Sequence, residues 1–197
     1  MLKKLIILRH GEVPFYKVGF LSKTDLTLTE KGLKEVEKIA KELKNEGIQA
    51  IFSSPLLRCV QTARVIAREL GFKQIHLDEG LEEVNFGIFE CLSLEEARKK
   101  YPKIYEARLK DKWNFRIPGG ESYKDAAERF LNFLKRIEAS YETVLCITHA
   151  TLIKIILKIL CGLSLEEIER RKYLPACFLI LNKKEKWEIE KSKLVKM

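Results

Sequence analysis

The residues best suited to chemistry follow a short apolar run near the start of the chain. The run at residues 5–8 leads directly into Arg9, His10 and Gly11. A cation beside an imidazole suits the binding of an anion, and a glycine allows a tight turn with close approach of a ligand to the backbone. Taken alone, a histidine that follows a strand is more simply an ordinary polar loop residue, so a role for His10 needs support from the rest of the chain.

Two further apolar runs end on polar residues of the same kind. A Ser-Ser-Pro sequence at 53–55 follows one run, with Arg58 one helical turn further on, and another run ends on His149. Open α/β sheets bind ligands at the carboxyl ends of their parallel strands. We therefore expect Arg58 and His149 to join Arg9 and His10 in one positively charged pocket. Phosphate is its natural occupant, because guanidinium groups match the phosphate oxygens in pairs.

The segments that must position these residues alternate between strand-like and helix-like spacing of apolar residues. We predict strands near residues 3–8, 50–52, 74–77, 143–148, 176–181 and 187–192. We predict helices over about 29–47, 56–70, 93–101, 103–112, 123–140 and 150–160, with capping boxes at Ser122 with Asp125 and at Ser164 with Glu167.

This alternation predicts an α/β fold, a three-layer α/β/α sandwich around a mostly parallel central sheet. A chain of 197 residues suffices for one well-packed domain, and we predict a single domain over 1–197. Residues 78–121 are the least regular part, and we expect them to form an insertion, or lid, over the site.

Composition is that of an ordinary globular protein, with 46% hydrophobic and 33% charged residues. The longest apolar stretch, near 152–163, contains Lys154 and Lys158, so no membrane span is predicted. The first residues run straight into a strand without a signal peptide, and we expect a cytoplasmic location. Five dispersed cysteines are typical of reduced, buried thiols rather than of a disulfide framework.

The formal net charge of +9 raises the question of nucleic-acid binding. Most of the lysines alternate with glutamates along predicted helices, which is typical of solvated helix faces. We therefore expect no specific nucleic-acid site, and a non-specific affinity for polyanions stays open.

Six motifs, taken in order, resemble those of the histidine phosphatase superfamily, whose members include the cofactor-dependent phosphoglycerate mutases. They are Arg-His-Gly at 9–11, Leu-Thr-x-x-Gly at 28–32, Ser-Ser-Pro-Leu-x-Arg-x-x-x-Thr-Ala at 53–63, Leu-x-Glu-x-x-Phe-Gly at 81–87, Pro-Gly-Gly-Glu-Ser at 118–122 and Thr-His at 148–149. The resemblance covers essentially the whole chain and implies a phosphoglycerate mutase-like fold.

The resemblance implies a role for each residue of the pocket. His10 would attack phosphorus and carry the phosphoryl group, and neighbouring cations should depress its pKa. Glu83 would protonate the leaving oxygen and later activate water; Glu82 is the alternative acid. The implied phosphate-binding residues are Arg9, Arg58 and His149.

Several departures from the mutase pattern favour a phosphatase. The mutase asparagine and Thr-Gly pair have no match in residues 13–22, Val84 replaces an arginine after the acid, and Arg116 alone stands where mutases have paired arginines. Whether Ser22 or Arg116 contacts substrate stays open. The sequence thus predicts a metal-independent phosphatase without a cofactor, acting on a small phosphorylated metabolite. The oligomeric state is not readable from the sequence, and the family resemblance makes a homodimer a candidate assembly.

The sequence leaves open two alternatives to a phosphatase and does not fix the substrate of a phosphatase. The chain could be a phosphoglycerate mutase that uses the same site, or a basic binding protein that has lost activity on the same fold. Within the phosphatases, Arg-His-Gly-Glu-Val at 9–13 and Thr-Asp-x-x-Leu-Thr at 24–29 resemble alpha-ribazole phosphatases. Phosphoserine and sugar phosphates stay open as substrates.

Overall fold

A computed structural model describes residues 1–14 and 19–196 of the chain, and it describes only the backbone of residues 195 and 196. Residues 15–18, part of the segment that lacks the mutase asparagine, lie outside the described residues. The strands are β1 (Lys4–Arg9), β2 (Ala50–Ser53), β3 (His76–Leu77), β4 (Thr143–Thr148), β5 (Arg171–Lys172), β6 (Phe178–Lys183), β7 (Trp187–Ser192) and β8 (Val195–Lys196). The α-helices are α1 (Glu30–Leu43), α2 (Leu57–Leu70), α3 (Leu94–Lys100), α4 (Pro102–Lys110), α5 (Tyr123–Ile137), α6 (Ala150–Cys161) and α7 (Leu165–Glu169), and two short 3-10 turns span Glu79–Leu81 and Gly87–Phe89.

Six of these strands form one sheet in the order β3-β2-β4-β1-β6-β7. Strands β1 to β4 are mutually parallel, β6 is antiparallel to β1, and β7 is antiparallel to β6. The predicted mostly parallel sheet is confirmed, and β1 and β4 lie at its centre.

Strand β1 shows why the apolar run had to be buried on both faces. Its side chains alternate between the faces: Ile6 and Leu8 pack with α1 and α2, whereas Leu5 and Ile7 pack with α5 and α6. All four are fully buried, and burial of each such side chain stabilises the fold by roughly 1.5–3 kcal/mol. The predicted three layers, α/β/α, are therefore confirmed.

The helix ends follow from local sequence. Both predicted capping boxes are present, at Ser122 with Asp125 and at Ser164 with Glu167. Helix α1 begins after Thr29, whose hydroxyl accepts the Gly32 N–H at 3.0 Å. It ends at Leu43, four residues before the predicted end at Gly47.

A glycine lets the first turn of α1 pack directly on the segment that follows β1. A Cβ atom on Gly32 would lie 2.3 Å from the carbonyl oxygen of Glu12, a distance that no side chain tolerates. The Leu-Thr-x-x-Gly motif is thus explained by packing, since its glycine brings the start of α1 against the backbone next to His10.

Within residues 78–121, a second close backbone contact joins two distant motifs. Gly87 has a φ of 50°, and a Cβ atom there would lie 2.2 Å from the carbonyl oxygen of Pro118. Backbone bonds from Ile88 N to Pro118 O at 3.0 Å and from Glu121 N to Asn85 O at 2.8 Å continue this contact. The Phe-Gly and Pro-Gly-Gly motifs therefore hold each other in place.

The structure differs from the sequence prediction at its shortest strands. The predicted strand at 74–77 shrinks to β3, which pairs only with β2 at the sheet edge, and its His76 stacks on Phe52 at 5.0 Å. The β5–β8 ladder was not predicted, because two-residue strands carry no alternating pattern. In the described part of the chain, no helix has the length and apolar character needed to cross a membrane.

Candidate active site

The carboxyl ends of three neighbouring strands meet at one edge of the sheet. Arg9 of β1 pairs in register with Thr148 of β4, and Ser53 of β2 pairs with Ile147. The backbone continues this alignment, with His10 N donating to Thr148 O at 3.0 Å. The polar residues that follow β1, β2 and β4 are therefore brought together, as their positions predicted.

A cavity of about 280 Å³ opens at this edge. It is lined by Arg9, His10, Val13, Gly19, Leu21, Arg58, Glu83, Phe86, Ala150, Thr151 and Lys154. Four of the five predicted site residues line this cavity. The fifth, His149, is almost fully buried beside it, and its ring centre lies 5.3 Å from that of His10.

The His10 ring is held in one tautomer. Its Nδ1 lies 2.8 Å from the carbonyl oxygen of Gly11, which can only accept a hydrogen bond, so Nδ1 carries the proton and Nε2 keeps its lone pair. Burial lowers the pKa of His10 well below its usual 6.5, and the charges of Arg9 and Arg58 lower it further. The predicted effect of neighbouring cations is confirmed, with burial as the larger cause. His10 is therefore neutral at physiological pH.

Backbone carbonyl oxygens anchor the guanidinium groups of both arginines. Arg58 is 1% exposed, and its Nη1 and Nη2 donate to the carbonyl oxygens of Thr24 at 2.9 Å and Ser22 at 2.8 Å. Arg9 Nη1 donates to the carbonyl oxygen of Tyr173. Among the described residues, the buried Nε atoms of both arginines have no partner. Each guanidinium thus keeps donors for an anion in the cavity.

His149 is positioned by two residues from the Ser-Ser-Pro motif and the helix after it. Its Nε2 lies 2.9 Å from Ser54 Oγ and 3.4 Å from the sulfur of Cys59. Burial lowers the pKa of His149 well below its usual value, and Arg58 and His10 lower it further. The ring is therefore neutral and close to His10.

The Glu83 carboxylate lies at the amino end of α6. It accepts the backbone N–H groups of Val84 at 3.0 Å and of Leu152 and Thr151, each at 3.1 Å. Burial raises the pKa of Glu83, and these hydrogen bonds and the two arginines only partly offset that effect. A carboxyl group with a raised pKa in a cavity is suited to donating a proton.

Glu82 points elsewhere. Its carboxylate pairs with Lys23, and it does not line the cavity. Of the two candidate acids, the geometry thus favours Glu83.

Arg116 and Ser22, the two residues whose contact with substrate the sequence left open, do not line the cavity. Arg116 is an exposed side chain that pairs with Asp125 at 2.7 Å. Ser22 is fully buried, and its hydroxyl donates to Glu90 and accepts the Phe86 N–H at 3.3 Å. Ser22 therefore serves the site through its carbonyl oxygen, which holds Arg58.

Glu90 was not predicted, although it supports the loop at residues 22–24. Its carboxylate accepts the backbone N–H groups of Ser22, Lys23 and Thr24 at 2.9 to 3.1 Å, together with the hydroxyls of Ser22 and Thr24. No local pattern reveals a contact between segments more than sixty residues apart.

Lys154 is a second residue that sequence reasoning missed. It lies on α6, five residues after His149, and lines the cavity. Its ammonium lies 5.5 Å from the centre of the Tyr173 ring, and burial lowers the pKa of Lys154. In the sequence, Lys154 appears only as a charge that interrupts an apolar helix, and no motif marks it.

The same geometry bears on metal ligation. Within residues 1–14 and 19–196, no three His, Cys, Asp or Glu side chains are grouped so that they could hold a metal ion. The donors at the cavity are cationic or neutral groups together with one carboxyl, a set suited to an anion.

Comparison with known sequences identifies the family. The model of the histidine phosphatase superfamily (branch 1) matches residues 5–194. Phosphoserine phosphatase 1 of Hydrogenobacter thermophilus is 29% identical over 167 residues, which cover 83% of this chain and 79% of that protein. A bifunctional protein of Mycobacterium tuberculosis is 34% identical over 160 residues, and the fructose-2,6-bisphosphatase of Saccharomyces cerevisiae is 32% identical over 168 residues. These matches cover 79% and 84% of this chain but only 43% and 36% of those two longer relatives.

Comparison with solved structures supports the same fold. The mycobacterial glucosyl-3-phosphoglycerate phosphatase superposes with a TM-score of 0.82 at 23% identity, covering 95% of this chain and 97% of that one. A putative alpha-ribazole-5'-P phosphatase from Escherichia coli superposes with a TM-score of 0.84 at 18% identity, covering 96% and 95%. With its motifs assembled at one sheet edge and the family model matching nearly its whole length, this chain belongs to the histidine phosphatase superfamily.

Proposed function

We propose that the protein is a phosphatase that hydrolyses small phosphomonoesters through a covalent phosphohistidine at His10. The observation that carries this proposal is the bond between His10 Nδ1 and Gly11 O, which leaves Nε2 free as a nucleophile in a cavity with Arg9 and Arg58. Phosphatases among the matched relatives, named for phosphoserine and for fructose 2,6-bisphosphate, support the reaction class.

In the first step, His10 Nε2 attacks phosphorus and forms a P–N bond while the P–O bond to the leaving group breaks. Glu83 gives its proton to the departing oxygen. Arg9 and Arg58 bind the non-bridging oxygens, and we assign His149 to the same task from its place beside His10. The two preorganised arginine cations stabilise the charge that spreads over the oxygens in the transition state.

In the second step, water attacks phosphorus while the Glu83 carboxylate accepts a proton from that water. The P–N bond breaks, inorganic phosphate leaves, and His10 returns to its neutral form. The residues of the cavity supply a nucleophile, an acid and phosphate-binding cations, so the proposed cycle needs no metal or cofactor.

Two features favour hydrolysis over mutase activity. Val84 follows the acid where mutases have an arginine, and Arg116 pairs with Asp125 on the surface rather than facing the cavity. A mutase must retain its phosphorylated form and rebind an intermediate, whereas a phosphatase only has to admit water to the phosphorylated histidine. A cytoplasmic location and the absence of a specific nucleic-acid partner stay predictions of the sequence, and a homodimeric assembly stays a prediction of the family resemblance.

The test compares the wild-type protein with His10→Ala and with His76→Gln, which changes a histidine at the sheet edge outside the cavity. We expect hydrolysis of p-nitrophenyl phosphate in excess EDTA, an acid-labile protein phosphate after rapid quench, and a loss of at least about a thousandfold in His10→Ala. His76→Gln should keep both the hydrolysis of p-nitrophenyl phosphate and the acid-labile protein phosphate. Undiminished turnover in His10→Ala would contradict the mechanism, and conversion of 3-phosphoglycerate to 2-phosphoglycerate in the presence of 2,3-bisphosphoglycerate would identify a mutase.

A further inference from the structure

Lys154 is a cation of the cavity that the proposed phosphoryl transfer does not use. In the described part of the chain it forms no ion pair and no side-chain hydrogen bond; its ammonium contacts the face of the Tyr173 ring at 5.5 Å. Glu169, whose charge favours the protonated form of Lys154, is bound by Lys112 at 2.9 Å. The ammonium of Lys154 is therefore at the cavity, partly buried and without a paired carboxylate among the described residues.

The charges of the cavity do not balance with a phosphomonoester alone. Its lining contains three cations, Arg9, Arg58 and Lys154, and one acid, Glu83, which must carry a proton when the substrate binds. His10 is neutral, and a phosphomonoester dianion offsets two of the three positive charges. Because a buried cation is costly unless it is paired, the cavity best fits a substrate with one further negative charge.

The position of Lys154 shows which part of the substrate would carry that charge. Thr151, at the start of α6, donates its backbone N–H to Glu83, and Lys154 follows three residues later on the same helix. Residues three apart on a helix share one face. Glu83, but neither Arg9 nor Arg58, is among the charges that act on Lys154. If Glu83 protonates the leaving oxygen, Lys154 is therefore on the side of the cavity that receives the leaving group.

We propose that Lys154 binds a second anionic group, a carboxylate or a second phosphate, on the leaving group of the substrate. The protein then prefers phosphomonoesters that carry such a group over those with a neutral leaving group. This inference rests on the proposed function and names a substrate class for it.

Matched substrate pairs test the inference. Glycerol 3-phosphate has a hydroxymethyl group where 3-phosphoglycerate has a carboxylate, and fructose 6-phosphate lacks the second phosphate of fructose 1,6-bisphosphate. We expect the wild-type protein to have a kcat/KM at least about tenfold higher for one of the two anionic esters than for its neutral partner, a difference typical of one charge-assisted contact. The pair that shows the difference tells carboxylate from phosphate.

Variants of two lysines on the same helix identify the residue responsible. Lys154→Met should remove the preference by lowering kcat/KM for the anionic ester at least about tenfold more than for its neutral partner, and Lys154→Arg should keep the preference. Lys158→Met is the matched control, because Lys158 lies on α6 over the Trp113 ring and does not line the cavity. An equal loss on all four esters in Lys154→Met, or a wild-type protein without preference, would overturn the inference.

Binding separates failure of this inference from failure of the proposed function. Calorimetry on the His10→Ala background measures the affinities for 3-phosphoglycerate, fructose 1,6-bisphosphate and their neutral partners without turnover. We expect Lys154→Met to weaken binding of the preferred anionic ester about tenfold more than binding of its neutral partner. If no ester is hydrolysed but this difference is found, the phosphatase proposal fails and the anion site stands; if hydrolysis occurs without the difference, the anion site fails.

Discussion

Glu90 and Arg58 bind opposite sides of the loop at residues 22–24. The Glu90 carboxylate accepts the three backbone N–H groups of this loop, and the Arg58 guanidinium donates to the carbonyl oxygens of Ser22 at 2.8 Å and Thr24 at 2.9 Å. Glu90 does not line the cavity. It is therefore a positioning residue, which acts on the bound phosphate through the loop and Arg58.

Glu90→Gln should weaken phosphate binding more than it weakens the fold. The amide has one acceptor oxygen, and its NH₂ group would face backbone donors, so the loop carbonyls that hold Arg58 would shift. We expect KM for p-nitrophenyl phosphate and the inhibition constant for inorganic phosphate to rise together by about tenfold, the effect of one lost charge-assisted contact. Glu95→Gln, on an exposed glutamate of α3 that pairs with Lys99, is the control. A fall in kcat with both constants unchanged would contradict this role.

The raised pKa of Glu83 predicts the alkaline side of the pH profile. Transfer to His10 needs a protonated Glu83, so activity falls as pH rises through the pKa of this carboxyl. Burial holds that pKa above its usual value of 4.5. We expect kcat/KM of the wild-type protein to decline at a higher pH than an ordinary carboxyl would give, and the decline should disappear in Glu83→Gln.

Leaving groups provide the second readout of this prediction. An alkyl oxygen needs a proton more than a nitrophenolate does, so Glu83→Gln should lower kcat/KM on an alkyl phosphate by about a hundredfold and less on p-nitrophenyl phosphate. Glu82→Gln removes the neighbouring carboxylate that pairs with Lys23, and it should leave kcat/KM unchanged for both substrates. The reverse result would assign the acid to Glu82.

The sequence was sufficient for those site residues that follow strand ends. Apolar runs buried on both faces are detectable without a structure, and parallel strands necessarily bring Arg9, His10 and His149 to one edge. Glu90 and Lys154 could not be predicted in this way. Glu90 acts on a loop far away in sequence, and whether the side chain of Lys154 faces solvent or a cavity depends on how α6 packs against residues that follow β1 and β5.

Two buried neutral histidines predict a loss of stability in acid. The pKa values of His10 and His149 in the folded protein lie well below the usual 6.5, chiefly because of burial and next because of the nearby arginines. The unfolded chain therefore binds more protons as pH falls below about 6.5, and the free energy of unfolding decreases from that pH downward. Each histidine contributes a slope of up to about 1.4 kcal/mol per pH unit.

Denaturant unfolding between pH 7 and pH 5 measures this slope. His10→Gln should reduce the slope by up to about 1.4 kcal/mol per pH unit, since glutamine does not titrate. His76→Gln removes an imidazole outside the cavity and serves as the control. A wild-type slope that His10→Gln leaves unchanged would show that His10 is not held neutral by the fold.

Cys91 adopts a backbone conformation that favours glycine. Its φ is 63°, in the left-handed region, and its exposed side chain contacts Thr24 Oγ1 at 3.0 Å. A side chain in this region costs roughly 1–2 kcal/mol, of which the greater freedom of glycine in the unfolded chain cancels a part. Cys91→Gly should therefore raise the free energy of unfolding by about 0.5 kcal/mol or more.

Cys161→Gly, in the last turn of α6, should instead lower the free energy of unfolding by about 0.5–1 kcal/mol, because glycine is unfavourable in a helix. Denaturant titration of both variants checks the opposite signs, and a destabilised Cys91→Gly would mean that the thiol contact with Thr24 outweighs the backbone strain.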